Sequence, residues 1–247
     1  MKKYYEIYED RYRKVYDAGM SFWRYDHDRN ESPEAEMSKT IDAIIANGAI
    51  PPPPCRLIDL GCGEGWWSVA WAERGYKVTG IDISPSSIAK AKELAGKKNL
   101  EIVFSVGNVL DLKEIKPDSF DIVFESQCFH HMVYDRDLLK CLEETFRILR
   151  YGGILISRHA WSDKGFDGRL ETPEDVEQYM KPVYEQFHGR TYKQTYQDEK
   201  TGCWKTVEVD IIPARTKSKN VAIRGFESAG FRLIKVIGES CAIFGKR

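Results

Sequence analysis

The feature that most constrains this chain is a glycine-rich loop between a short apolar strand and a helix. Residues 56–60 form the apolar run, glycines stand at positions 61, 63 and 65, and a helix follows from Trp66. Glycines there let the backbone turn sharply and admit a ligand, and the helix N-terminus offers unpaired N–H groups. The spacing differs from the dinucleotide fingerprint G-x-G-x-x-G, and Trp66 and Trp67 are bulky where that motif needs a small residue. The loop therefore predicts a nucleoside-type ligand rather than a dinucleotide.

From residue 55 onward, apolar runs alternate with helical segments. This alternation predicts a doubly wound α/β sheet, because parallel strands are joined by crossover helices. Gly152 and Gly153 predict a turn before the fifth strand, and residues 238–240 predict a tight turn between the last two strands. The predicted strands are residues 56–60, 76–83, 101–106, 120–125, 154–159, 231–237 and 241–245, and the predicted helices are residues 66–73, 85–95, 135–149 and 220–229.

Two regions depart from this alternation. Residues 1–50 carry tyrosines at helical spacing and then a second helix to about Ala46, which predicts an N-terminal helical cap. The prolines at positions 51–54 form a stiff connector to a core over residues 55–247. Residues 160–215 predict a lid inserted after the fifth strand, with a helix from Thr172 and a hairpin of residues 191–196 and 204–212.

Composition argues against several classes of function. The net charge is −1, so no overall positive field attracts nucleic acid. No stretch approaches the roughly 18 apolar residues of a membrane span, and the first residues lack the apolar run of a signal peptide. The six cysteines form no CxxC pair and no zinc-type cluster with histidine, so we expect free thiols and no metal. We therefore expect a cytoplasmic protein that does not cross a membrane.

An acidic residue closes the second predicted strand. Asp82 follows the glycine loop and stands where a carboxylate can accept hydrogen bonds from a ribose diol. The alternative is that Asp82 caps the next helix. Ser84, directly before Pro85, is the better candidate for that cap, so the ribose interpretation is preferred.

At this point the sequence resembles class I S-adenosylmethionine-dependent methyltransferases. Their first motif is similar to residues 58–65, their second-strand acid corresponds to Asp82, and their third-strand element corresponds to residues 107–109. That element usually reads Gly-Asp-Ala and here reads Gly-Asn-Val. The resemblance implies that the side chain of Asn108 meets the adenine amino group and that the N–H of Val109 meets a ring nitrogen. An asparagine can still accept from that amine through its carbonyl oxygen.

Further segments extend this resemblance over about residues 55–160. Residues 120–125 resemble the family's fourth strand, residues 129–131 its Leu-His-His continuation, and residues 146–155 its Leu-Arg-Pro-Gly-Gly turn. The family implies a seven-stranded Rossmann-like sheet with an antiparallel last strand, S-adenosylmethionine as cofactor and S-adenosylhomocysteine as product. The residues expected to bind the cofactor are Arg24, Asp59, Gly61, Cys62, Gly63, Gly65, Asp82, Ile83, Asn108, Val109 and Glu125.

Methyl transfer from a sulfonium is an in-line displacement, so the protein mainly aligns the acceptor and excludes water. A base is needed only when the acceptor carries a proton, and no metal is implied. His130 and His131 follow the fourth strand, at the edge where open α/β sheets bind ligands, and are the candidate catalytic bases. The residues expected to contact the substrate are Tyr16, Trp23, His130, His159 and Trp161.

A small-molecule methyl acceptor at O, N or S is the preferred interpretation, because a cap and a lid together would enclose a compact pocket. An RNA or protein methyltransferase and a non-catalytic S-adenosylmethionine-binding subunit remain as alternatives. The segment after the fourth strand, residues 125–128, lacks the Asn/Asp-Pro-Pro-Tyr element associated with methylation of planar amines. We do not expect nucleic acid as a partner, and a homodimer is left open.

Overall fold

The apolar runs of the sequence form the strands of a central sheet, and the segments between them form helices. The structure is a computed structural model that describes residues 7–20, 33–197 and 201–246. Its strands are β1 (Arg56–Leu60), β2 (Lys77–Asp82), β3 (Val103–Val106), β4 (Phe120–Ser126), β5 (Leu149–Arg158), β6 (Thr191–Gln197), β7 (Trp204–Asp210), β8 (Phe231–Ile237) and β9 (Cys241–Lys246). Its helices are α1 (Ile7–Asp17), α2 (Pro33–Ala46), α3 (Trp66–Ala72), α4 (Pro85–Lys97), α5 (Asp135–Ile148), α6 (Pro173–Gln186) and α7 (Lys219–Ser228).

Within the described residues, seven of these strands form one sheet in the order β3-β2-β1-β4-β5-β9-β8. The strands from β3 to β5 are parallel, and β9 runs antiparallel to both β5 and β8. The predicted fold class, a doubly wound Rossmann-like sheet with an antiparallel last strand, is confirmed. The order places the carboxyl ends of β1, β2 and β4 side by side, so the loops that follow them meet at one edge.

One predicted boundary is wrong. The fifth strand was expected to start after a turn at Gly152 and Gly153, but β5 already begins at Leu149, which pairs with Phe120. The pairing is then irregular until Ile154 meets Ile122, and Gly152 has a φ of 69° inside this bulged stretch. The glycines therefore bend the strand instead of preceding it, which is a common use of glycine in a β-bulge.

Adjacent residues of the central strands point to opposite faces of the sheet, and each face has its own core. Ile58, Val123 and Leu155 pack with residues of α5 and α7 on one face. Leu57 and Ile122 pack with residues of α2 and α3 on the other. The site-bearing loops are thus held between two buried layers, which fixes their positions.

The lid folds as predicted, as a capped helix followed by a hairpin. Thr172 and Asp175 form a reciprocal capping box at the start of α6, and β6 pairs with β7 along its whole length. Tyr192 and Tyr196 of β6 contact α1, because Arg11 donates to the hydroxyl of Tyr192 at 2.5 Å and the hydroxyl of Tyr196 donates to the carbonyl of Ala18. The lid is therefore joined to the N-terminal helix.

The two N-terminal helices have different neighbours. Ile41 and Ile44 of α2 are fully buried against Trp71 of α3, so this helix extends the core. Helix α1 instead lies over the glycine loop and against the lid. The division into a cap over residues 1–50 and a core over residues 55–247 stays a prediction. None of the helices in the described parts of the chain combines the length and apolar character that a bilayer crossing requires.

Candidate functional site

The glycine loop has the backbone shape that its sequence predicts. Gly61, Gly63 and Gly65 have φ values of 70°, 52° and 83°, a region that other residues adopt only with strain. A Cβ at Gly61 would lie 2.7 Å from Sγ of Cys128, and one at Gly65 would lie 2.9 Å from Cβ of Ala91. The loop therefore fits closely between α4 and the segment after β4, and it has no room for side chains at these positions.

Asp82 lies beside this loop at the end of β2. Its carboxylate accepts hydrogen bonds from the N–H of Gly63 at 2.9 Å and from the N–H of Ser84 at 2.9 Å. Burial raises the pKa of Asp82, while the two backbone hydrogen bonds act in the opposite direction. A carboxylate can accept about four hydrogen bonds, so this group retains acceptor capacity for two hydroxyls of a ribose. Binding of a nucleoside by the loop and Asp82 stays a prediction, and the free acceptor positions of Asp82 are compatible with it.

Two residues of the predicted cofactor set lie behind the loop. Asp59 is 1% exposed and accepts a hydrogen bond from the hydroxyl of Ser68 at 2.6 Å, which ties β1 to α3. Burial raises the pKa of Asp59 to about 7. The side chain of Cys62 packs among Ile88 and Phe104 beneath α4. Asp59 and Cys62 therefore hold the loop in place from its inner side.

The third predicted element follows β3. The side-chain oxygen of Asn108 accepts a hydrogen bond from the N–H of Leu110 at 3.0 Å, so the asparagine caps its own turn. Val109 is buried in the core of the α5 and α7 face, and Ile83 is half-buried after β2. An amide oxygen accepts two hydrogen bonds, which leaves Asn108 one acceptor position for an adenine amino group.

Helix α1 covers the glycine loop from above. A Cβ at Gly63 would lie 2.8 Å from the hydroxyl of Tyr12, and the hydroxyl of Tyr16 donates to Glu64 at 3.0 Å. Glu9 accepts hydrogen bonds from the hydroxyls of Ser84 and Ser86 at 2.6 Å each. The sequence predicted a helix with tyrosines at helical spacing and a substrate contact for Tyr16, and it did not specify these contacts with the loop.

Glu125 organises the end of β4. Its carboxylate accepts from the backbone N–H groups of Cys128 and Phe129 at 3.0 and 3.2 Å, and from the hydroxyl of Ser157. The residue is 1% exposed, and burial raises the pKa of its carboxyl to about 7. Glu125 therefore fixes the short 3₁₀ turn Phe129–His131 relative to β5, and this turn carries both candidate bases.

The two histidines form a chain of hydrogen bonds. Nε2 of His130 lies 3.0 Å from Nε2 of His131, and Nδ1 of His131 lies 3.4 Å from the carbonyl oxygen of Pro213. Burial lowers the pKa of His131 to about 4 and holds the pKa of His130 well below its usual value, so both rings are neutral at pH 7.

The hydrogen-bond partners also assign the protons of this pair. A carbonyl oxygen can only accept, so Nδ1 of His131 carries the proton and its Nε2 is an acceptor. The proton shared between the rings then belongs to Nε2 of His130. Nδ1 of His130 is the unprotonated nitrogen, and His130 is the member of the pair that can accept a proton from a ligand.

A cavity of about 200 Å³ lies between α5 and α7 and reaches the ends of β4 and β5. Its inner end includes Glu125, His130 and Ser157, and its walls are mostly apolar. Leu139, which is 47% exposed, and Gly225, which is exposed, lie where the cavity opens to solvent. The cavity therefore connects the surface with the turn that carries His130.

The other residues expected to contact a substrate are spread over the molecule. His159 lines the cavity. Trp161 is buried in the core, where its indole N–H donates to the carbonyl of Glu239 at 2.8 Å. Tyr16 contacts the glycine loop instead of the cavity. Trp23 and Arg24 lie outside the described residues.

Sequence reasoning missed three charged residues of the cavity. Asp135, at the start of α5, is bound by Arg215 through both of its oxygens and by Lys217 at 2.6 Å. Although burial raises the pKa of Asp135, the hydrogen bonds from Arg215 and Lys217 hold it well below its usual value. Arg215 lies 80 positions from Asp135 along the chain, so no short sequence pattern indicated that the two residues pair. Among the described residues, no group of three potential metal ligands comes together.

Comparison with known proteins identifies the family. A family model described as a methyltransferase domain matches residues 53–220, a stretch that includes both the glycine loop and the lid. A ubiquinone biosynthesis O-methyltransferase of Xanthomonas campestris pv. campestris is 31% identical over 115 residues, which are 47% of this chain and 46% of that protein. A glycine/sarcosine N-methyltransferase of Parasynechococcus marenigrum is 27% identical over 184 residues, which are 74% of this chain and 58% of that protein.

The chain spans about half the length of the curated relatives that it matches. A solved SAM-dependent methyltransferase of Methanosarcina mazei has the same fold, with a TM-score of 0.55 and 21% identity over 82% of this chain and 96% of that one. The family match covers well over half of the sequence. On these grounds the chain belongs to the class I S-adenosylmethionine-dependent methyltransferases.

Proposed function

We propose that this protein transfers the methyl group of S-adenosylmethionine to an O, N or S atom of a small molecule. The observation that carries the proposal is the cavity whose inner end contains His130, the ring with an unprotonated nitrogen. Two of the relatives support a small acceptor, since one is named for O-methylation in ubiquinone biosynthesis and the other for N-methylation of glycine and sarcosine.

The donor would bind along the glycine loop. Asp82 would accept from the ribose hydroxyls, and Asn108 with the N–H of Val109 would meet the adenine ring. Gly61, Gly63 and Gly65 give the loop backbone the positive φ values that shape it, and the donor would lie along this backbone. Arg24 and Glu125 remain proposals for the methionine end, with Glu125 already accepting three hydrogen bonds from the chain.

When bound, the cofactor supplies a methyl group on a positively charged sulfur, which is already electrophilic. The chain would align the acceptor atom with the carbon–sulfur bond, and α1, which is joined to the lid, covers the glycine loop from water. As the acceptor–carbon bond formed, the carbon–sulfur bond of a bound donor would break and its electron pair would go to sulfur. Where the acceptor atom carries a proton, that proton goes to Nδ1 of His130.

The low pKa of His130 is compatible with this role. Burial disfavours the charged form of an isolated imidazole, which would make His130 a weak base. In methyl transfer, the sulfur loses its positive charge in the same step in which the ring gains one. The site therefore creates no additional net charge, and Nε2 of His131 accepts the hydrogen bond of the protonated His130.

The experiment is a binding titration followed by an activity screen. Calorimetry should show binding of S-adenosylhomocysteine and no binding of NAD. Release of S-adenosylhomocysteine from S-adenosylmethionine should then occur with at least one member of a panel of small phenols, carboxylic acids, amines and thiols. Binding without turnover on any of these, but with turnover on RNA or protein, would replace the proposal by that alternative.

A further inference from the structure

The size of the cavity limits what it can hold. Its volume of about 200 Å³ compares with the roughly 150 Å³ of an apolar protein cavity that binds benzene. The walls are apolar and come from both helices and from the turn after β4, including Phe129, Leu138, Leu142, Val221 and Phe226. One six-membered ring with a small substituent fits a space of this size and character.

The charged residues of the cavity favour an anionic substituent. Arg215, Lys217 and Asp135 all line it, and two cations share one carboxylate. The side chain of Arg215 is 1% exposed and that of Lys217 is 15% exposed, so both act at short range with little screening by water. Asp167 also interacts electrostatically with Lys217, but it is exposed to solvent and does not line the cavity. At the inner end, the carboxylate of Glu125 already accepts the hydrogen bonds of the Cys128 and Phe129 N–H groups and of the Ser157 hydroxyl, so the donors open to a bound anion are those of Arg215 and Lys217.

We propose that the cavity between α5 and α7 binds an aromatic acid, with its ring between the helices and its carboxylate at Lys217 and Arg215. The proposal rests on the proposed function, because it makes this molecule the methyl acceptor, through a hydroxyl, amino or thiol group that reaches His130. The acceptor atom then gains the methyl group, the carbon–sulfur electron pair goes to sulfur, and the acceptor's proton goes to His130.

The chain offers a substitution that fills the cavity without disturbing the core. Gly225 lies in α7 and lines the cavity, and a Cβ added there meets no atom within 4 Å. Gly96 lies in α4, away from the cavity, and a Cβ there is equally free. Gly225→Leu therefore places an isobutyl group at the cavity, Gly225→Ala adds only one carbon, and Gly96→Leu is the matched control. All three should fold, because alanine and leucine are better helix formers than glycine.

The test is ligand-observed fluorine-19 NMR with 4-fluorobenzoate and its neutral counterpart 4-fluorobenzyl alcohol. Both probes should bind the wild-type protein, the acid more tightly. Gly225→Leu should weaken both by about tenfold or more, because the added isobutyl group takes up cavity space that the ring of the probe needs, whereas Gly96→Leu should change neither. Lys217→Met should weaken the acid by about tenfold and leave the alcohol unchanged, because it removes one charge while Arg215 still pairs with Asp135.

Equal probe affinity in Gly225→Leu and wild type would overturn the proposal, and so would equal loss of acid and alcohol binding in Lys217→Met. The second variant decides the matter even if the first does not fold. Calorimetry with S-adenosylhomocysteine on the same variants separates the two proposals. Unchanged cofactor affinity with lost probe binding supports the cavity assignment, whereas absent cofactor binding in the wild type contradicts the proposed function and leaves the probe result standing.

Discussion

The two halves of the site are built in different ways. The donor side, formed by residues 61–65, 82–86 and 107–109, consists of three loops that follow neighbouring parallel strands. The proposed acceptor side, formed by residues 125–142, 157–160 and 215–228, combines strand ends with two helices and the segment that returns from the lid. The surface of the donor side is mostly backbone, and the surface of the acceptor side is mostly side chains.

This difference explains what each half can vary. A backbone cradle depends on glycine conformations, so its chemistry is the same wherever the loop is the same. A cavity made of side chains changes size and charge with single substitutions in α5, α7 or residues 215–217. The donor should therefore be shared across the family, whereas the acceptor is specified by this chain.

The largest effect should come from the base on the acceptor side. We expect His130→Asn to lower the rate of methyl transfer to a proton-bearing acceptor by about 100-fold or more, because an amide cannot take the proton. The rate is followed as S-adenosylhomocysteine release. His188→Asn, at an exposed lid position, is the control and should keep the wild-type rate. A rate for His130→Asn within a few-fold of the wild-type rate would exclude His130 as the general base.

The next effect tests how rigid the donor side is. Gly65→Ala forces a non-glycine residue to a φ of 83° and places its Cβ 2.9 Å from Ala91, so we expect a loss of about 2–3 kcal/mol in the free energy of unfolding. Gly48→Ala, with a φ of 72° and open space around the Cβ, isolates the conformational part and should cost about 1 kcal/mol. Urea unfolding measures both. Equal losses in the two variants would show that contact with α4 does not constrain the loop.

Binding of the donor should depend on one carboxylate. Asp82→Asn replaces an acceptor of the Gly63 and Ser84 N–H groups and of the ribose by a neutral amide, so affinity for S-adenosylhomocysteine should fall by about tenfold or more. Calorimetry gives the affinity, with the exposed Asp111→Asn as control. If both variants bind equally well, the ribose does not lie at Asp82.

The smallest effect concerns pH and the acceptor side. The pKa of Glu125 is about 7 in the folded protein, above the 4.5 of an unperturbed glutamate, so the folded state holds the proton more tightly. Its contribution to stability is complete below pH 4.5 and is lost as the pH rises through 7. Glu125→Gln should therefore reduce the loss of unfolding free energy between pH 6 and pH 7 by about 1 kcal/mol. The exposed Glu101→Gln should keep the wild-type slope; identical slopes in all three proteins would contradict the raised pKa.

The backbone shape of the glycine loop and the position of Asp82 beside it followed from the sequence because their determinants are local. Glycine spacing and an acid at a strand end act within a few residues of where they are read, and the alternation of strands and helices fixes which loops meet. The position of His130 and His131 followed from the same rule. The start of β5 was wrong because a bulge and a turn both use glycine, and only pairing with β4 distinguishes them.

The acceptor side could not be predicted in the same way. Arg215 meets Asp135 only because the lid returns across the start of α5, a packing that no short pattern encodes. Which histidine carries the unprotonated nitrogen depends on the carbonyl of Pro213, which lies 82 positions away from His131. The side chains of Tyr16 and Trp161 were assigned to the substrate from their place in the chain, but their directions depend on tertiary packing.

Helix α1 has a consequence for the timing of the reaction cycle. It contacts the glycine loop through Tyr12 and Tyr16, the ring of His131 through Tyr8 at 5.0 Å between centroids, and the lid through Arg11. A nucleoside that enters or leaves beneath this helix must separate it from all three neighbours at once. For a cofactor bound at this loop, as proposed, exchange would be linked to opening of the lid, so the residence time of the product, rather than the speed of the chemical step, would set the turnover.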